Sequence, residues 1–287
     1  MKIAHLTDIH VADENDYGEP HEAHWRAKIH KHSERLLERL LADMAEQKPD
    51  HVVLTGDLTL TSKKEEFERA RAYLDAGIPG IRVSALPGNH DRWRAEAMSG
   101  RWFEQSFGDR VSCDLGGDGF PYCHLAGDVA FVGLDSSPYD ASSDPSDVKG
   151  RVSEVQLRAF ERLGKDPRIS SRFVVVLLHH HLRLSAEDAS AEDPKDPTPL
   201  ENAPEVEEAL ARIPVGVVLH GHRHKQMRLD LAVGGRQVPI LCPGSATRVD
   251  ERPDRTSRYG VYTVEAKALR EVRTRAYVPS SDRFEWI

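Results

Sequence analysis

Short apolar runs alternate with helix-period stretches along the first third of the chain. Residues 2–7, 51–55 and 80–86 have the length and apolar character of buried strands. Apolar residues recur at helical spacing between them, which predicts helices at 29–47 and 63–76. A strand–helix–strand alternation of this kind predicts a parallel sheet with right-handed crossovers.

The later part of the chain is richer in strands. Buried strands are predicted at 173–178 and 215–219, and a hairpin is predicted from 122–126 and 129–134. An antiparallel run is expected to close the chain, from strands at 226–232, 237–242, 258–264 and 269–277. Stacking two such sheets with helices outside predicts an α/β fold, a four-layer α/β/β/α sandwich of two mixed sheets. Since no low-complexity linker or repeat divides the chain, one domain over 1–287 is expected.

One segment departs from this order. Residues 186–208 contain nine acidic residues, one lysine and four prolines, which is typical of a solvated excursion between strands. Because polar motifs precede and follow the segment, it either only connects two strands or also borders a functional site.

Charge and cysteine content narrow the class of protein. The net charge is −8 with histidine neutral, so no basic field attracts nucleic acid or an anionic membrane, although bound cations can invert the field locally. The three cysteines have no paired spacing, which favours free thiols in a reducing compartment. There is no apolar signal segment after Lys2 and no membrane-spanning run. We therefore expect a cytoplasmic protein.

Five polar clusters each follow a predicted strand. The carboxyl ends of strands in open α/β sheets are where ligands bind, so the five clusters are expected to meet in one site. Spacings of two residues place both side chains of a pair on one face, and Gly56, Gly88 and Gly221 permit tight turns. The clusters are Asp8 and His10; Gly56-Asp57; Gly88-Asn89-His90-Asp91; His179-His180-His181; and His220-Gly221-His222-Arg223-His224.

The side chains in these clusters are typical of a metal site. Imidazole and carboxylate ligands without thiolate suit Zn, Mn, Fe or Co. Seven such ligands are too many for one tetrahedral ion. They suit two divalent or transition-metal ions about 3.5–4 Å apart that share a bridging carboxylate and hold the attacking and leaving oxygens of an in-line displacement.

Taken together and in this order, the five motifs resemble the motif set of the calcineurin-like metallophosphoesterases, over residues 8–224. The resemblance implies the four-layer sandwich and a dinuclear metal site. One ion would be held by Asp8, His10 and His224, the second by Asn89, His179 and His222, and Asp57 would bridge them. His90 would contact the phosphoryl oxygen or protonate the leaving group, Asp91 would orient His90, and a metal-bound hydroxide would be the nucleophile.

The compact size and short spacing resemble the bacterial class III cyclic nucleotide phosphodiesterases and glycerophosphodiesterases. Those relatives usually have proline after the histidine pair, where this chain has His181 and Leu182. The expected function is hydrolysis of a small phosphodiester, a cyclic nucleotide or glycerophosphodiester. A phosphomonoesterase acting on nucleotides or phosphoproteins is the alternative. A DNA nuclease and a non-catalytic scaffold are less favoured, and a homodimer is compatible with the sequence.

Several other polar residues have two interpretations. His180 and His181 either reach the substrate or are structural. Arg92 either binds phosphate or base, or lies on the solvated face of a helix start, which we favour. The loop 13–25, with its aromatic and imidazole side chains, either stacks on a base or packs half-buried.

Two histidines are expected to be structural. His5 lies inside the first strand and is predicted to be a hydrogen-bonded core histidine. His220 precedes the last metal motif, and a structural role is favoured over support of the metal ligands.

Overall fold

Two mixed β-sheets form the centre of the structure, a computed structural model that describes residues 1–12, 31–137, 149–184, 200–250, 252 and 254–287. Within those residues each sheet has six strands. The strands are β1 Lys2–Leu6, β2 His51–Thr55, β3 Arg82–Leu86, β4 Tyr122–Ala126, β5 Val129–Gly133, β6 Phe173–Leu177, β7 Val215–Leu219, β8 Met227–Val233, β9 Arg236–Cys242, β10 Arg258–Glu265, β11 Ala268–Val278 and β12 Arg283–Trp286.

The first sheet has the order β12-β11-β10-β1-β2-β3. As predicted, β1, β2 and β3 are parallel, with Ile3 opposite His51 and Val53 opposite Ser84. The free edge of β1 is covered by β10, which runs antiparallel to it. The first three strands therefore end at one edge of the sheet.

The second sheet has the order β4-β5-β6-β7-β9-β8. The predicted hairpin of β4 and β5 is confirmed, and β5, β6 and β7 are parallel. The predicted closing antiparallel run is wrong in part, because β9 pairs with β7 in parallel while β10, β11 and β12 belong to the first sheet. The chain changes sheets after Cys242, at Pro243-Gly244, where Gly244 has a φ of 96°. Apolar alternation does not encode which sheet edge a strand joins.

Helices cover the outer face of each sheet. Seven α-helices occur in the described part of the chain: α1 Glu34–Glu46, α2 Lys64–Gly77, α3 Ala95–Ser99, α4 Trp102–Phe107, α5 Glu154–Gly164, α6 Pro167–Ser170 and α7 Ala203–Ala211. Leu37, Phe67 and Phe103 of α1, α2 and α4 pack on the first sheet. Phe160 of α5 and Val206 of α7 pack on the second.

A third apolar layer lies between the two sheets. Ile3, Phe131, Val175 and Tyr262 meet there, while Ala4, the neighbour of Ile3, faces the helices. Because both faces of each central strand are buried, these strands are apolar almost throughout. The predicted four-layer α/β/β/α sandwich is confirmed.

Two sets of buried polar side chains interrupt the inter-sheet layer. His5 is hydrogen-bonded as predicted, to Thr55 Oγ1 at 2.8 Å and to Tyr262 OH at 3.2 Å. At the opposite end of the strands, Ser84 Oγ lies 2.8 Å from both His51 Nε2 and His124 Nδ1. These groups are satisfied in part by one another rather than by water.

Two predicted segments fall partly or wholly outside the described residues. The loop 13–25 lies outside them, as do residues 186–199 of the acidic, proline-rich segment. The rest of that segment contains the start of α7. The helix predicted from residue 29 begins at Glu34, after the cap Ser33, whose side chain accepts a hydrogen bond from Leu36 N. No described helix is long and apolar enough to span a bilayer.

Candidate metal centre

Five loops meet where β1, β2, β3, β6 and β7 end. Backbone hydrogen bonds join them, from Asp8 N to Gly56 O, His10 N to Asp57 O and Gly221 N to His179 O, each at 3.0 Å. The two sheets thus present their carboxyl ends to one site. All seven predicted ligands lie there: Asp8, His10, Asp57, Asn89, His179, His222 and His224.

The first cluster consists of Asp8, His10, Asp57 and His224, each of which offers one ligand atom within 4.8 Å of the others. The Nε2 atoms of His10 and His224 are 2.9 Å apart. Asp8 Oδ1 lies 3.3 Å from His224 Nε2, and Asp57 Oδ2 lies 3.6 Å from His10 Nε2. Four donors therefore converge on one point.

The second cluster consists of Asp57, Asn89, His179 and His222. Asn89 Oδ1 lies 3.1 Å from both His179 Nε2 and His222 Nδ1, and these two nitrogens are 3.2 Å apart. Asp57 Oδ2 lies 3.4 Å from His179 Nε2. The same carboxylate oxygen therefore faces both clusters.

The spacing of these donors fits metal ions. Ligands bound at about 2.1 Å, with angles of about 90–109° between them, lie roughly 3.0–3.4 Å apart. The donor separations in the two clusters run from 2.9 Å to 3.6 Å. Imidazole, carboxylate and amide donors without thiolate suit Zn, Mn, Fe or Co. The side chains fit two such ions with Asp57 between them.

Five of the seven predicted ligands have a left-handed backbone. Their φ angles are 53° at Asp8, 42° at His10, 54° at Asp57, 76° at His222 and 51° at His224. Such conformations cost about 1–3 kcal/mol each in non-glycine residues and persist where the surroundings impose them. The sequence patterns predicted the ligands but not this strain.

Glycines let the loops approach the donors closely. Gly56 has a φ of 90°, and a Cβ there would lie 2.5 Å from His179 Nδ1. A Cβ at Gly88 would overlap the carboxylate of Asp57. Both positions therefore require glycine for the site to close.

Hydrogen bonds outside the clusters orient their rings. His179 Nδ1 donates to Thr55 O at 2.8 Å, which directs Nε2 into the second cluster. The hydroxyl of Ser136 accepts from the backbone N–H groups of His179 and His180 and lies 2.9 Å from His180 Nδ1. The segment Asp135-Ser136-Ser137, which follows β5, thereby fixes the histidine pair.

His90 is held beside both clusters. Its backbone N–H donates to Asp57 Oδ1 at 2.9 Å, and its Nδ1 donates to Leu60 O at 2.6 Å. Its ring lies edge-on to His10, with centroids 4.6 Å apart, and stacks on Trp93 at 5.4 Å. Because the carbonyl of Leu60 can only accept, Nδ1 carries a hydrogen, and this bond fixes the orientation of the ring.

Asp91 was expected to orient the ring of His90, and its position differs from that expectation. Its carboxylate accepts hydrogen bonds from the backbone N–H groups of Gly88, Leu58 and Thr59, at 2.9–3.1 Å, and from Thr59 Oγ1 at 2.9 Å. Asp91 therefore ties the loop after β3 to the loop after β2, and Leu60 O holds the imidazole.

Charge and burial shift the acidities in the site. Burial opposes ionisation of Asp57, yet the charges of His179 and His90 hold its pKa well below the ordinary value. Burial likewise opposes the charged form of His179, but Asp57 raises the pKa of His179 to about 9. Burial, with the charge of Asp57, raises the pKa of Asp91 to about 6. The lowered pKa keeps the carboxylate of Asp57 ionised, as a ligand of a cation should be.

Arg92 fits neither of its two predicted roles. Its guanidinium is buried, 2.7 Å from Glu104 and 3.0 Å from Asp135, and lies over the ring of Phe103 at 5.4 Å. The reason is the short helix α4, which brings Glu104 back over the loop after β3. Arg92 is therefore a structural ion-pair residue.

Two residues near the first cluster were not predicted. The ring of His32 lies 4.4 Å from that of His10 and 5.3 Å from that of His224. Arg248 Nη1 lies 3.4 Å from His224 Nδ1, and its guanidinium pairs with Asp250 at 3.0 Å. Neither residue follows a strand of the parallel pattern, so strand-end reasoning carried no signal for them.

The remaining histidines of the motifs are buried. His180 packs on His222, with ring centroids 4.4 Å apart. Burial lowers the pKa of His181 to about 2, and neither of its ring nitrogens has a hydrogen-bond partner among the described residues. Burial also lowers the pKa of His220 to about 4, and its Nδ1 donates to Gly221 O. Cys113, Cys123 and Cys242 are free, as predicted.

Comparison with known proteins agrees with this geometry. The sequence matches the family described as calcineurin-like phosphoesterase over residues 1–226. The chain belongs to the calcineurin-like phosphoesterase family. This membership confirms the family expected from the five motifs and identifies the chain as a metallophosphoesterase. No curated protein sequence matches it.

Several solved structures share the fold, among them two that are described as phosphatases. A dimetal phosphatase from Danio rerio has a TM-score of 0.61 at 17% identity, over 96% of this chain and 94% of that one. A purple acid phosphatase from seeds of yellow lupin, Lupinus luteus, has a TM-score of 0.61 at 12% identity, over 100% of this chain but 52% of that one. TT1561 of Thermus thermophilus has a TM-score of 0.54 at 12% identity, over 94% of this chain and 97% of that one.

Proposed function

We propose that this metallophosphoesterase is a phosphodiesterase that hydrolyses a small molecule, a cyclic nucleotide or a glycerophosphodiester, at a two-metal centre. The observation that carries the proposal is the position of Asp57 Oδ2, 3.6 Å from His10 Nε2 and 3.4 Å from His179 Nε2. One carboxylate oxygen that faces two donor clusters is the arrangement expected of a bridging ligand.

The two clusters have separate roles in the proposal. Asp8, His10 and His224 would hold one ion, Asn89, His179 and His222 would hold the other, and Asp57 would serve both. The ions, when bound, polarise the phosphoryl group and lower the pKa of bound water toward about 7. Asp8 and Asp57 neutralise the ions in part and fix the distance between them, since His222 N and His90 N hold the two carboxylates in place.

His90 acts on the substrate in this proposal. Its Nδ1–H is engaged by Leu60 O, so Nε2 faces the reacting phosphate. In the reaction, a bond forms between water oxygen and phosphorus, and the bond from phosphorus to one ester oxygen breaks. His90, protonated on both ring nitrogens, gives its Nε2 proton to that oxygen, and the proton released by the attacking water restores the doubly protonated ring, so the products are a phosphomonoester and an alcohol. Asp91 is a positioning residue that keeps the loop of His90 on the loop of Asp57.

The charge around the site supports a diester. A phosphodiester carries one negative charge, whereas a monoester carries close to two at neutral pH. Arg92, which directly follows the Gly88-Asn89-His90-Asp91 motif, is neutralised by Glu104 and Asp135. The compact size and short motif spacing that resemble class III phosphodiesterases point the same way.

One observation favours a phosphomonoesterase as the second candidate. Arg248 Nη1 lies 3.4 Å from His224 Nδ1, at the edge of the first cluster. A guanidinium there can complement the second charge of a monoester. The choice between the two functions depends on which ester the loaded enzyme prefers.

The test is hydrolysis of bis(p-nitrophenyl) phosphate against p-nitrophenyl phosphate by the full chain loaded with Mn, Fe, Zn or Co. We expect kcat/KM to be higher for the diester. Higher activity on the monoester would replace this function with the second candidate, and inactivity on both esters despite two bound ions would refute the enzymatic function. A panel of cyclic nucleotides and glycerophosphodiesters then identifies the substrate.

A further inference from the structure

A short segment outside the five metal loops places a histidine on the first cluster. His32 forms an antiparallel bridge with Arg248, Ser33 N donates to Thr247 O at 3.0 Å, and Val249 N donates to Lys31 O at 2.7 Å. This pairing fixes the segment just before α1 against the chain that follows β9. One ring nitrogen from each of His10, His32 and His224 lies within 4.8 Å of the others.

The hydrogen bonds of Thr247 determine which nitrogen of His32 carries the proton. Thr247 Oγ1 has a single hydrogen and lies 2.9 Å from Ile9 O, a carbonyl that can only accept. Thr247 therefore donates to Ile9 and accepts from His32 Nδ1, at 2.8 Å. The neutral ring then has its hydrogen on Nδ1 and a lone pair on Nε2.

We propose that His32 Nε2 is an additional ligand of the ion that binds His10 and His224, the two residues with which its ring is grouped. The inference rests on the metal centre of the proposed function. In metal-bound histidines, the ring nitrogen that does not bind the metal usually donates a hydrogen bond to a hydroxyl or carbonyl. This hydrogen bond fixes the ring and directs the lone pair of the other nitrogen to the metal. A lone pair is attracted to a cation and repelled by a phosphate oxygen, so this tautomer suits the ion rather than the substrate.

The extra ligand changes which ion the first site prefers. Three imidazoles with one carboxylate already fill the four positions of a tetrahedral zinc site, and a second carboxylate would exceed them. An ion that accepts five or six ligands is therefore favoured there. The structure thus gives the first site a metal preference that the five motifs alone do not carry.

Metal titration of the full chain tests the proposal, with Co²⁺ as the probe and calorimetry and the visible d–d spectrum as readouts. His32→Ala should weaken binding of one of the two ions about 100-fold or more, since even an outer hydrogen-bond partner contributes about 10–100-fold. The d–d bands should also become more intense, because Co²⁺ absorbs more strongly as its coordination number falls. Thr247→Val should weaken binding of the same ion about tenfold. The His32 ring remains in this variant but loses the hydrogen bond that orients it.

Two controls make the outcomes distinct. Lys31→Ala removes an exposed neighbouring side chain and should leave both affinities unchanged. Thermal unfolding without metal shows that each variant is folded, and His32→Gln replaces His32→Ala if the latter does not fold. Unchanged affinity and spectrum in folded His32 variants would refute this ligand and leave the proposed function standing. Failure of the wild-type chain to bind two ions would overturn both.

Discussion

The Nε2 atoms of His10 and His224 lie 2.9 Å apart, although 214 positions separate the two residues in the chain. His10 comes from the loop after the first strand of one sheet, and His224 comes from the loop after β7 of the other. Two nitrogen donors this close have no hydrogen between them when both rings are bound to a shared ion. Their contact therefore brings loops of both sheets into one donor cluster.

Asp57 should be indispensable to both ions. Asp57→Ala removes the oxygen that faces both clusters and the acceptor of the His90 N–H. We expect activity on the diester to fall by about 1,000-fold or more, as for loss of a group that stabilises charge in the reaction. Metal content after dialysis should fall for both ions. Asp128→Asn, an exposed carboxylate far from the motifs, serves as the control, and normal metal content in Asp57→Ala would contradict the bridging role.

His90 should be needed for turnover rather than for metal. His90→Ala keeps all seven proposed ligands but removes the ring nitrogen that faces the substrate. We expect kcat to fall by about 10²- to 10⁴-fold, the usual contribution of a general acid. Elemental analysis should find both ions still bound, and loss of both would show that His90 supports the metals instead.

Arg92 should matter for stability and not for substrate binding. Arg92→Met leaves the partly buried carboxylates of Glu104 and Asp135 without the buried cation that neutralises them. Breaking a buried ion pair on one side costs about 3–5 kcal/mol, which urea unfolding would measure. KM for the diester should be unchanged in the folded enzyme. A raised KM with unaltered stability would instead identify Arg92 as a phosphate contact.

The buried pair His51 and His124 should make the protein sensitive to acid. Burial lowers the pKa of His51 from 6.5 to about 3, so the folded state stays neutral where the unfolded chain binds a proton. Above about pH 6.5 the imidazole of His51 is neutral in both states, so it does not reduce the free energy of unfolding. As the pH falls below that value, protonation of the unfolded chain lowers the free energy of unfolding. At pH 5 the loss is about 2 kcal/mol for this residue.

Replacement of His51 by phenylalanine, which can stack on Phe131 as the imidazole does, should remove that loss. Urea unfolding at pH 7.5 and pH 5, with a chelator present, would show a smaller drop in the free energy of unfolding for His51→Phe than for the wild type. Ser84→Ala keeps the imidazole and should retain the wild-type pH dependence. If the free energy of unfolding fell equally in His51→Phe and the wild type, residues other than His51 would be the cause of the acid sensitivity.

The sequence predicted most of the strands and all seven positions that meet at the sheet edges. Buried strands have a strong apolar pattern, and the polar residues that end them stand out against it. The ion pairs of Arg92 could not be predicted, because Glu104 and Asp135 lie 12 and 43 positions away and no local pattern links them. His32 was missed for the same reason, since only its pairing with Arg248 brings it to the site.

The role of Asp91 shows a further limit of the sequence. Its place directly after His90 suggested that its carboxylate would contact the ring of His90. Instead, the carboxylate accepts hydrogen bonds from backbone N–H groups 33 and 32 positions earlier in the chain. Every residue except proline has a backbone N–H group, so the sequence does not show which of these groups donate to Asp91. Which of them a buried carboxylate accepts from depends on how the loops cross.

The order of synthesis sets when the metal centre can form. β1 is synthesised before the other described strands, but its partner β10 and the segment that holds His32 in place come after residue 246. At roughly 5–20 residues per second, His224 follows His10 by about 10–40 s. Until then Asp8 and Asp57 have no second half of the site. The metal ions can therefore bind to both complete donor clusters only late in synthesis. A chain truncated before His222 would contain the first strands of the fold but neither complete donor cluster.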